Sequence, residues 1–312
     1  MSLALLFPGQ GSQHVGMGRD LAQVHPLAAQ TFEEADDVLG FSISRLAWEG
    51  PEEELLLTKN AQPAMLTHST AVYRVVADRL EGTAMAAGHS LGEFSAHVAA
   101  GTLDFADAVR TVRLRGELMY SAGQDRAGTM AAILGLSDDI VVSVCERATA
   151  EAGPCVPANF NSRGQIVISG DLAGIERAME LASEQGAHRV VKLSVSGAFH
   201  SPLMAPAEGG LRQHLEATEF RDSTYPVIAN VTAEPVTSAA GARDLLIRQL
   251  TSPVRWAESV GHMVGSGVEG FLELGPGSVL RGLNRRNAKG ISCSSLGEPE
   301  DLDSWNGQEN CK

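Results

Sequence analysis

Gly88-His89-Ser90-Leu91-Gly92 carries the G-x-S-x-G pattern. A short apolar run, residues 84–87, precedes it, and the apolar stretch LGEFSAHVAA, residues 91–100, follows. Strand, sharp turn, helix is the context in which this pattern exposes a serine oxygen as a nucleophile. The glycines flank the serine because side chains would clash in so tight a turn. A helix N-terminus behind Ser90 offers free backbone N–H groups to a developing oxyanion. The competing reading of these five residues alone is a glycine-rich turn with an ordinary serine.

Working outward, Leu3–Phe7 reads as a buried strand. It stops at Pro8-Gly9-Gln10-Gly11, which can neither continue a strand nor cheaply start a long helix. Helices are expected over 26–39, 62–80 and 104–121. Gln62-Pro63 opens the second, where the missing proline N–H is harmless. After Gly123 the texture changes. Strands at 129–135, 165–169 and 189–195 alternate with helices at 137–152 and 172–185. The last of these has apolar residues at 172, 175, 179 and 182, the helical spacing. Strand-helix-strand-helix-strand is a small α/β lobe of ferredoxin-like pattern. Strand signals resume at 227–231 and 271–274, so the lobe interrupts a larger domain. The stretch from Glu298, EPEDLDSWNGQENCK, is polar and expected to be loosely held.

The 312 residues suffice for one large domain or a domain with an inserted lobe. Hydrophobic residues make up 44% and aromatic residues only 5%, so the core should be mostly Ala, Val and Leu. A formal net charge of −14 argues against broad nucleic-acid binding. Cys145, Cys155, Cys293 and Cys311 show no C-x-x-C spacing, so a reduced, cytoplasmic setting without structural zinc is expected. The N-terminus, MSLALLF, lacks the basic region of a signal peptide. No uncharged apolar run approaches the roughly 18 residues needed to cross a membrane.

Four further segments accompany GHSLGE (88–93): FPGQGSQ (7–13), RLRGELM (113–119), GAFHS (197–201) and RQLTSPVRW (248–256). Together they resemble the malonyl-CoA:acyl carrier protein transacylase family and the related acyltransferase domains of polyketide synthases. Five motifs in one order are far more specific than G-x-S-x-G. The resemblance implies an α/β fold: a hydrolase-like parallel-sheet domain at 1–126 and 200–297, a ferredoxin-like small subdomain inserted at 127–199, and the polar tail at 298–312.

The resemblance also implies site residues. Ser90 would be the nucleophile, holding the acyl group as an ester. His200 would be its base, a choice that spacing could not make among nine histidines. No carboxylate is implied as the third member. A main-chain carbonyl at Gln249 would orient the histidine instead. The N–H groups of Gln10 and Leu91 would form the oxyanion hole. Arg115 would grip the free carboxylate of a malonyl group, a task suited to a planar, always-charged fork. Periodicity does not separate it from Arg113, which is expected to be structural or solvated. Phe199 would crowd an α-methyl group and so favour malonyl over methylmalonyl. Gln62, Met119 and Asn159 carry over to the pocket lining.

The implied reaction is ping-pong transfer from malonyl-CoA to the phosphopantetheine thiol of acyl carrier protein, by a monomer with no cofactor or metal of its own. Supply of fatty-acid synthesis is the expected role, and service to a polyketide synthase is the alternative. A serine acyl hydrolase has no use for Arg115, and a non-catalytic binding module has none for Ser90 with His200. A dinucleotide loop at Gly9-x-Gly11 would need a third glycine where His14 stands. Arg281, Arg285, Arg286 and Lys289 form a basic cluster that reads equally as a carrier docking patch or a solvated helix face.

Overall fold

The computed structural model describes residues 2–305. Ten strands form two sheets. They are β1 (Leu3–Phe7), β2 (Thr83–Gly88), β3 (Gly128–Leu134), β4 (Cys155–Ser162), β5 (Gln165–Asp171), β6 (Arg189–Lys192), β7 (Val227–Ile228), β8 (Pro235–Val236), β9 (Gly270–Leu274) and β10 (Ser292–Leu296). The larger sheet has the order β10-β9-β1-β2-β7-β8, parallel except for the β7–β8 pair. The smaller is antiparallel throughout, in the order β4-β5-β3-β6.

β1 is buried at all five positions. A parallel strand covered on both faces is apolar without alternation. Its side chains still divide by face. Leu3, Leu5 and Phe7 join a core with Phe94, Val109 and Val112. Ala4 and Leu6 join another with Val254, Trp256 and Val260. The small sheet also has two faces. Ile133, Ile166 and Ile168 pack with Val141, Cys145 and Ile175 from helices Asp138–Glu151 and Leu172–Glu184. Met130 and Val167, on the other face, join the large-sheet core. That face roofs the cavity described below.

Several expectations are corrected. The second helix runs Thr58–Val76 rather than 62–80, so Pro63 lies inside it. The Lys59 carbonyl, which the proline cannot reach with an N–H, accepts from Arg113 Nη1 at 3.1 Å. Helix Phe105–Asp125 comes this close because Gly116 has no Cβ to overlap the Thr58 carbonyl oxygen. The small sheet gains β4, hidden in the sequence by Pro157, Asn159 and Asn161, where its register shifts twice. β6 ends at Lys192, three residues before the expected 195. The expected strand at 227–231 is two residues long, because the chain turns at Ala229–Asn230 to meet β8. β10, with sequence SCSSL, carried no apolar signal at all.

The stretch from Glu298 is not loose over its described part. Pro299–Ser304 is a helix with a capping box between Glu298 and Asp301. Trp305 is buried, Arg79 lies over its ring at 5.2 Å, and Arg79 Nη1 donates to the Leu302 and Trp305 carbonyls. Residues 306–312 of the expected tail, Cys311 among them, lie outside the described residues. Among the described residues no helix is long and apolar enough to cross a membrane.

The turn at Ser90 sits at the carboxyl end of β2, beside the Pro8–Gly11 loop at the carboxyl end of β1. Ligands of open parallel sheets bind at such strand ends. A Cβ at Gly92 would overlap the Phe7 carbonyl oxygen, and one at Gly88 would overlap the Gly92 carbonyl. The helix Gly92–Ala99 therefore presses directly on the β1 backbone. Gly92→Ala is expected to cost more than about 3 kcal/mol, because backbone rather than a flexible side chain must move. Gly282→Ala, where nothing lies within 4 Å of the added Cβ, should instead gain roughly 0.5–1 kcal/mol in helix Val279–Asn287. Urea melts of both variants check the pair, and equal effects would contradict the packing described.

Candidate active site

Ser90 holds the left-handed backbone conformation, φ 51°. A non-glycine residue there is strained and must be held by its surroundings. Asn230 does the holding. Its Oδ1 accepts from the Ser90 N–H at 2.7 Å, and its Nδ2 donates to the Gly88 carbonyl at 2.7 Å. His89, the neighbour of the serine, points away: its ring contacts Asn161 Oδ1 at 2.8 Å and lies 5.6 Å from the Trp256 ring.

His200, also at positive φ (56°), comes from the segment leaving β6. Its Nε2 lies 2.7 Å from Ser90 Oγ. Its Nδ1 lies 3.0 Å from the Gln249 carbonyl oxygen and 3.2 Å from that of Ser252. Carbonyl oxygens only accept, so Nδ1 carries the proton and Nε2 is free to accept from the serine. No carboxylate orients the ring. Burial, followed by the nearby Arg115 charge, lowers His200 to about 3 although both carbonyl bonds pull the other way. The imidazole is a neutral base, ready to take the hydroxyl proton.

The N–H groups of Gln10 and Leu91 have no hydrogen-bond partner among the described residues, and both residues line the cavity beside Ser90. Gly9 permits the approach of the first loop, since a Cβ there would overlap the His89 carbonyl oxygen. The Gln10 side chain is tied to Thr58 Oγ1 at 3.1 Å.

Arg115 is 1% exposed, among the largest fully buried side chains of the protein. Nη1 donates to Gln62 Oε1 at 2.7 Å. Nη2 donates to Gln249 Oε1 at 2.9 Å and to Ser90 Oγ at 3.2 Å. These three bonds leave two of the five guanidinium donors unspent. Desolvation lowers Arg115 to about 10, with Glu93 opposing, so it stays charged at neutral pH. Its partners are amides and a hydroxyl, and an apolar interior holding a cation without an adjacent anion is prepared to receive one. Arg113 differs. It bonds Glu117 at 2.6 Å and Asn60 at 2.7 Å, a structural tie between two helices.

These groups open on a cavity of about 440 Å³. Phe199, Met119 and Asn159 line it with Met130 and Val167 of the small sheet. Gln62 is buried behind the wall and donates to Met119 Sδ at 3.3 Å. Val279, Leu280 and Leu283 of helix Val279–Asn287 form part of the rim. The same helix carries Arg281, Arg285 and Arg286 of the basic cluster, with Lys289 just past its end, and Arg285, Arg286 and Lys289 are exposed. Every sequence-derived site residue is thus in or against this one cavity. Asn230, Ser252 and Glu93 were missed as participants. Asn230 stands at the end of an expected strand, and Glu93 inside the quoted GHSLGE motif, but neither position signals its partner.

Residues 4–299 match the family model described as the acyl transferase domain. A relative from Bacillus subtilis (strain 168), called malonyl CoA-acyl carrier protein transacylase, is 47% identical over 96% of this chain and 95% of its own. A relative of the same description from Escherichia coli (strain K12) is 46% identical over 95% and 96%. Among solved structures, an acyl carrier protein S-malonyltransferase from Vibrio cholerae superposes with a TM-score of 0.93 at 44% identity, covering 97% of this chain and 99% of that one. A malonyl-transacylase solved in complex with its holo type II polyketide-synthase acyl-carrier protein gives 0.94 at 42% identity, covering 97% and 98%.

The two carbonyl contacts and the burial of His200 have a spectroscopic consequence. Nitrogen-15 histidine NMR should show this ring as the neutral Nδ1–H tautomer from about pH 8 to below about pH 5, whereas an unperturbed imidazole protonates near 6.5. A His200 ring that titrates near the ordinary value would contradict the geometry.

Proposed function

The chain belongs to the acyl transferase domain family, and on that premise we propose that it carries a malonyl group from malonyl-CoA to the phosphopantetheine thiol of an acyl carrier protein through an ester on Ser90. The observation that carries this reading is the buried guanidinium of Arg115, 3.2 Å from Ser90 Oγ. An acyl group ending in a free carboxylate can put its thioester carbonyl at the serine and its anion at the arginine. A neutral acyl chain would leave the cation unpaired.

In this reading His200 Nε2 takes the proton of Ser90 as Oγ attacks the thioester carbon. The carbonyl oxygen becomes an oxyanion facing the Gln10 and Leu91 N–H groups, each worth about 3–4 kcal/mol at comparable sites. Collapse expels the CoA sulfur, which takes the proton back from His200. The carrier's thiol then enters, gives its proton to His200 and attacks the ester. Serine leaves with that proton, and the malonyl thioester departs on the carrier. The Gln249 and Ser252 carbonyls hold the ring in the tautomer that both halves need. Phe199 lines the cavity, and a ring beside the acyl group would crowd a branched α-carbon and so favour malonyl over methylmalonyl.

The helix Val279–Asn287 supports the carrier as partner. It lines the cavity with one face and carries Arg285 and Arg286, with Lys289 just past its end, a positive patch on a chain of net charge −14. Such a patch attracts an acidic partner and orients it at the cavity mouth. Two relatives named malonyl CoA-acyl carrier protein transacylase support the donor and the acceptor, and supply of fatty-acid synthesis in the cytoplasm is the role that the sequence resemblance implies. The neighbour in complex with a polyketide-synthase carrier supports the second reading, in which the acceptor belongs to a polyketide synthase.

Incubation with malonyl-CoA alone should add one malonyl mass to the intact protein, located on the peptide containing Ser90. Ser90→Ala should abolish the adduct and keep the parent's unfolding curve. Label on a cysteine, or none, would sink the ester.

Arg115→Ala should cut malonyl transfer by orders of magnitude while relatively favouring acetyl-CoA, since an unpaired buried cation leaves the path of neutral acyl groups. The ratio of malonyl to acetyl kcat/KM should collapse in that variant and hold in Arg113→Ala. Like behaviour in the two variants would dismiss the carboxylate clamp.

A further inference from the structure

Glu93 is fully buried on the helix that follows Ser90, and the reaction above makes no use of it. Its Oε2 accepts from Gln249 Nε2 at 2.6 Å and from the Asn230 N–H at 3.2 Å. Gln249 Nε2 also donates to the Ser90 carbonyl at 2.9 Å, while its Oε1 accepts from Arg115. One amide therefore bridges a buried carboxylate to a buried guanidinium. Among the described residues Glu93 Oε1 has no hydrogen-bond partner. A half-satisfied carboxylate in an apolar interior is poorly solvated and is tolerated only beside a compensating charge.

That charge is Arg115. The elements packed around Glu93 carry several titratable groups, one of which acts on it by charge. Helix Thr58–Val76 presents His68, which burial lowers to about 4, and Tyr73, whose hydroxyl donates to the Ala99 carbonyl. Glu93's own helix holds His97, lowered by burial to about 3. His200 is likewise neutral. β1, β2 and β7 contribute no ionisable side chain. Helix Phe105–Asp125 bears Asp107, Arg110, Arg113, Arg115, Glu117 and Asp125, and helix Thr58–Val76 bears Lys59 and Arg74, but of these charges it is Arg115 that acts on Glu93.

We propose that Glu93 is the resting counter-anion of Arg115, relayed through the Gln249 amide, and that it takes up a proton from solvent when an acyl carboxylate occupies the guanidinium. This rests on the malonyl reading above. Two anions would then share one enclosed cation, and like charges in one site cannot both stay ionised cheaply. The substrate's carboxylate lies directly on the arginine, so the indirect partner yields. The free Oε1 is the atom that receives the proton. Bonds to Gln249 and Asn230 survive, because Oε2 still accepts. Burial already lifts Glu93 to about 7, against the bonds from Gln249 and Asn230 and the Arg115 charge, so little further loss of stabilisation is needed. Glu93 touches neither substrate nor serine oxygen, and acts as a positioning residue that neutralises on demand. The balance is simple: one proton moves from solvent to carboxylate, while the serine proton travels separately through His200 to the leaving thiol.

The test counts protons per ester. A weakly buffered, pH-monitored mixture of protein and malonyl-CoA gives proton uptake, and intact mass gives the ester formed. The released thiol ionises equally in parent and Glu93→Gln, so their difference isolates Glu93. At about pH 8 the parent should take up close to one proton more per ester than the variant, and at about pH 6 the difference should vanish because Glu93 is already protonated. Equal uptake at both pH values, with ester formed in each protein, overturns the counter-anion. Absence of ester in the parent overturns the malonyl reading instead. If Glu93→Gln misfolds or forms no ester, infrared difference spectra of the parent decide. Malonylation at about pH 8 should remove a carboxylate band and create a protonated carboxyl band that shifts in D2O, which an ester band does not. No such band overturns the proposal.

Discussion

A single cation removed from water sets the terms for the interior of this protein. Stripping a guanidinium of solvent costs several kcal/mol unless hydrogen bonds and an opposite charge replace it. Arg115 finds Gln62, Gln249 and the Ser90 hydroxyl as direct partners, and reaches Glu93 through Gln249. Gln62, Gln249 and the Ser90–Glu93 turn come from three different segments, so with Arg115's own helix one charge draws four stretches of chain together. The same charge helps hold His200 neutral and opposes the rise of Glu93. Substrate preference, base strength and internal compensation are therefore aspects of one electrostatic problem.

Around that charge the backbone does work that hydrolases usually give to side chains. Carbonyls at 249 and 252 orient His200, and the N–H groups of residues 10 and 91 stand at the cavity with no hydrogen-bond partner among the described residues. Backbone groups cannot titrate, so the orientation of the ring does not depend on pH as it would with a carboxylate. The cost falls on conformation. Ser90 and His200 both occupy positive φ, and Asn230 braces the first of them from a neighbouring strand end. The small sheet adds a roof in which one face is buried in its own core and the other closes over the acyl cavity.

Much of this was legible in the chain, for uneven reasons. The parallel core showed in Leu3–Phe7 because full burial demands an unbroken apolar run. The small lobe showed through its helical spacing, though Pro157 and the asparagines concealed β4, and the serines of β10 concealed an edge strand. Pro63 looked like a helix start because a sequence cannot show that Arg113 would satisfy the stranded carbonyl. At the site, residue types with fixed chemistry were legible once several motifs stood together. His200 was not distinguishable by spacing from the other histidines, and Arg115 not from Arg113. Asn230, Ser252 and Glu93 escaped because they act through contacts across long sequence separations, which leave no local pattern.

β1 lies in the middle of its sheet, with β2 on one side and β9 on the other. β2 ends at Gly88, but β9 does not begin until Gly270. A ribosome adding about 5–20 residues per second needs on the order of ten to forty seconds to cover that gap. Throughout it, one edge of an apolar strand stands without its partner, the kind of edge that recruits other chains. His200, Asn230 and Gln249 also emerge within the interval, so the Ser90 turn can be made long before the residues that hydrogen-bond to it exist. The arrangement that gives the folded protein a sealed centre thus leaves one edge of its central strand open until β9 has been synthesised.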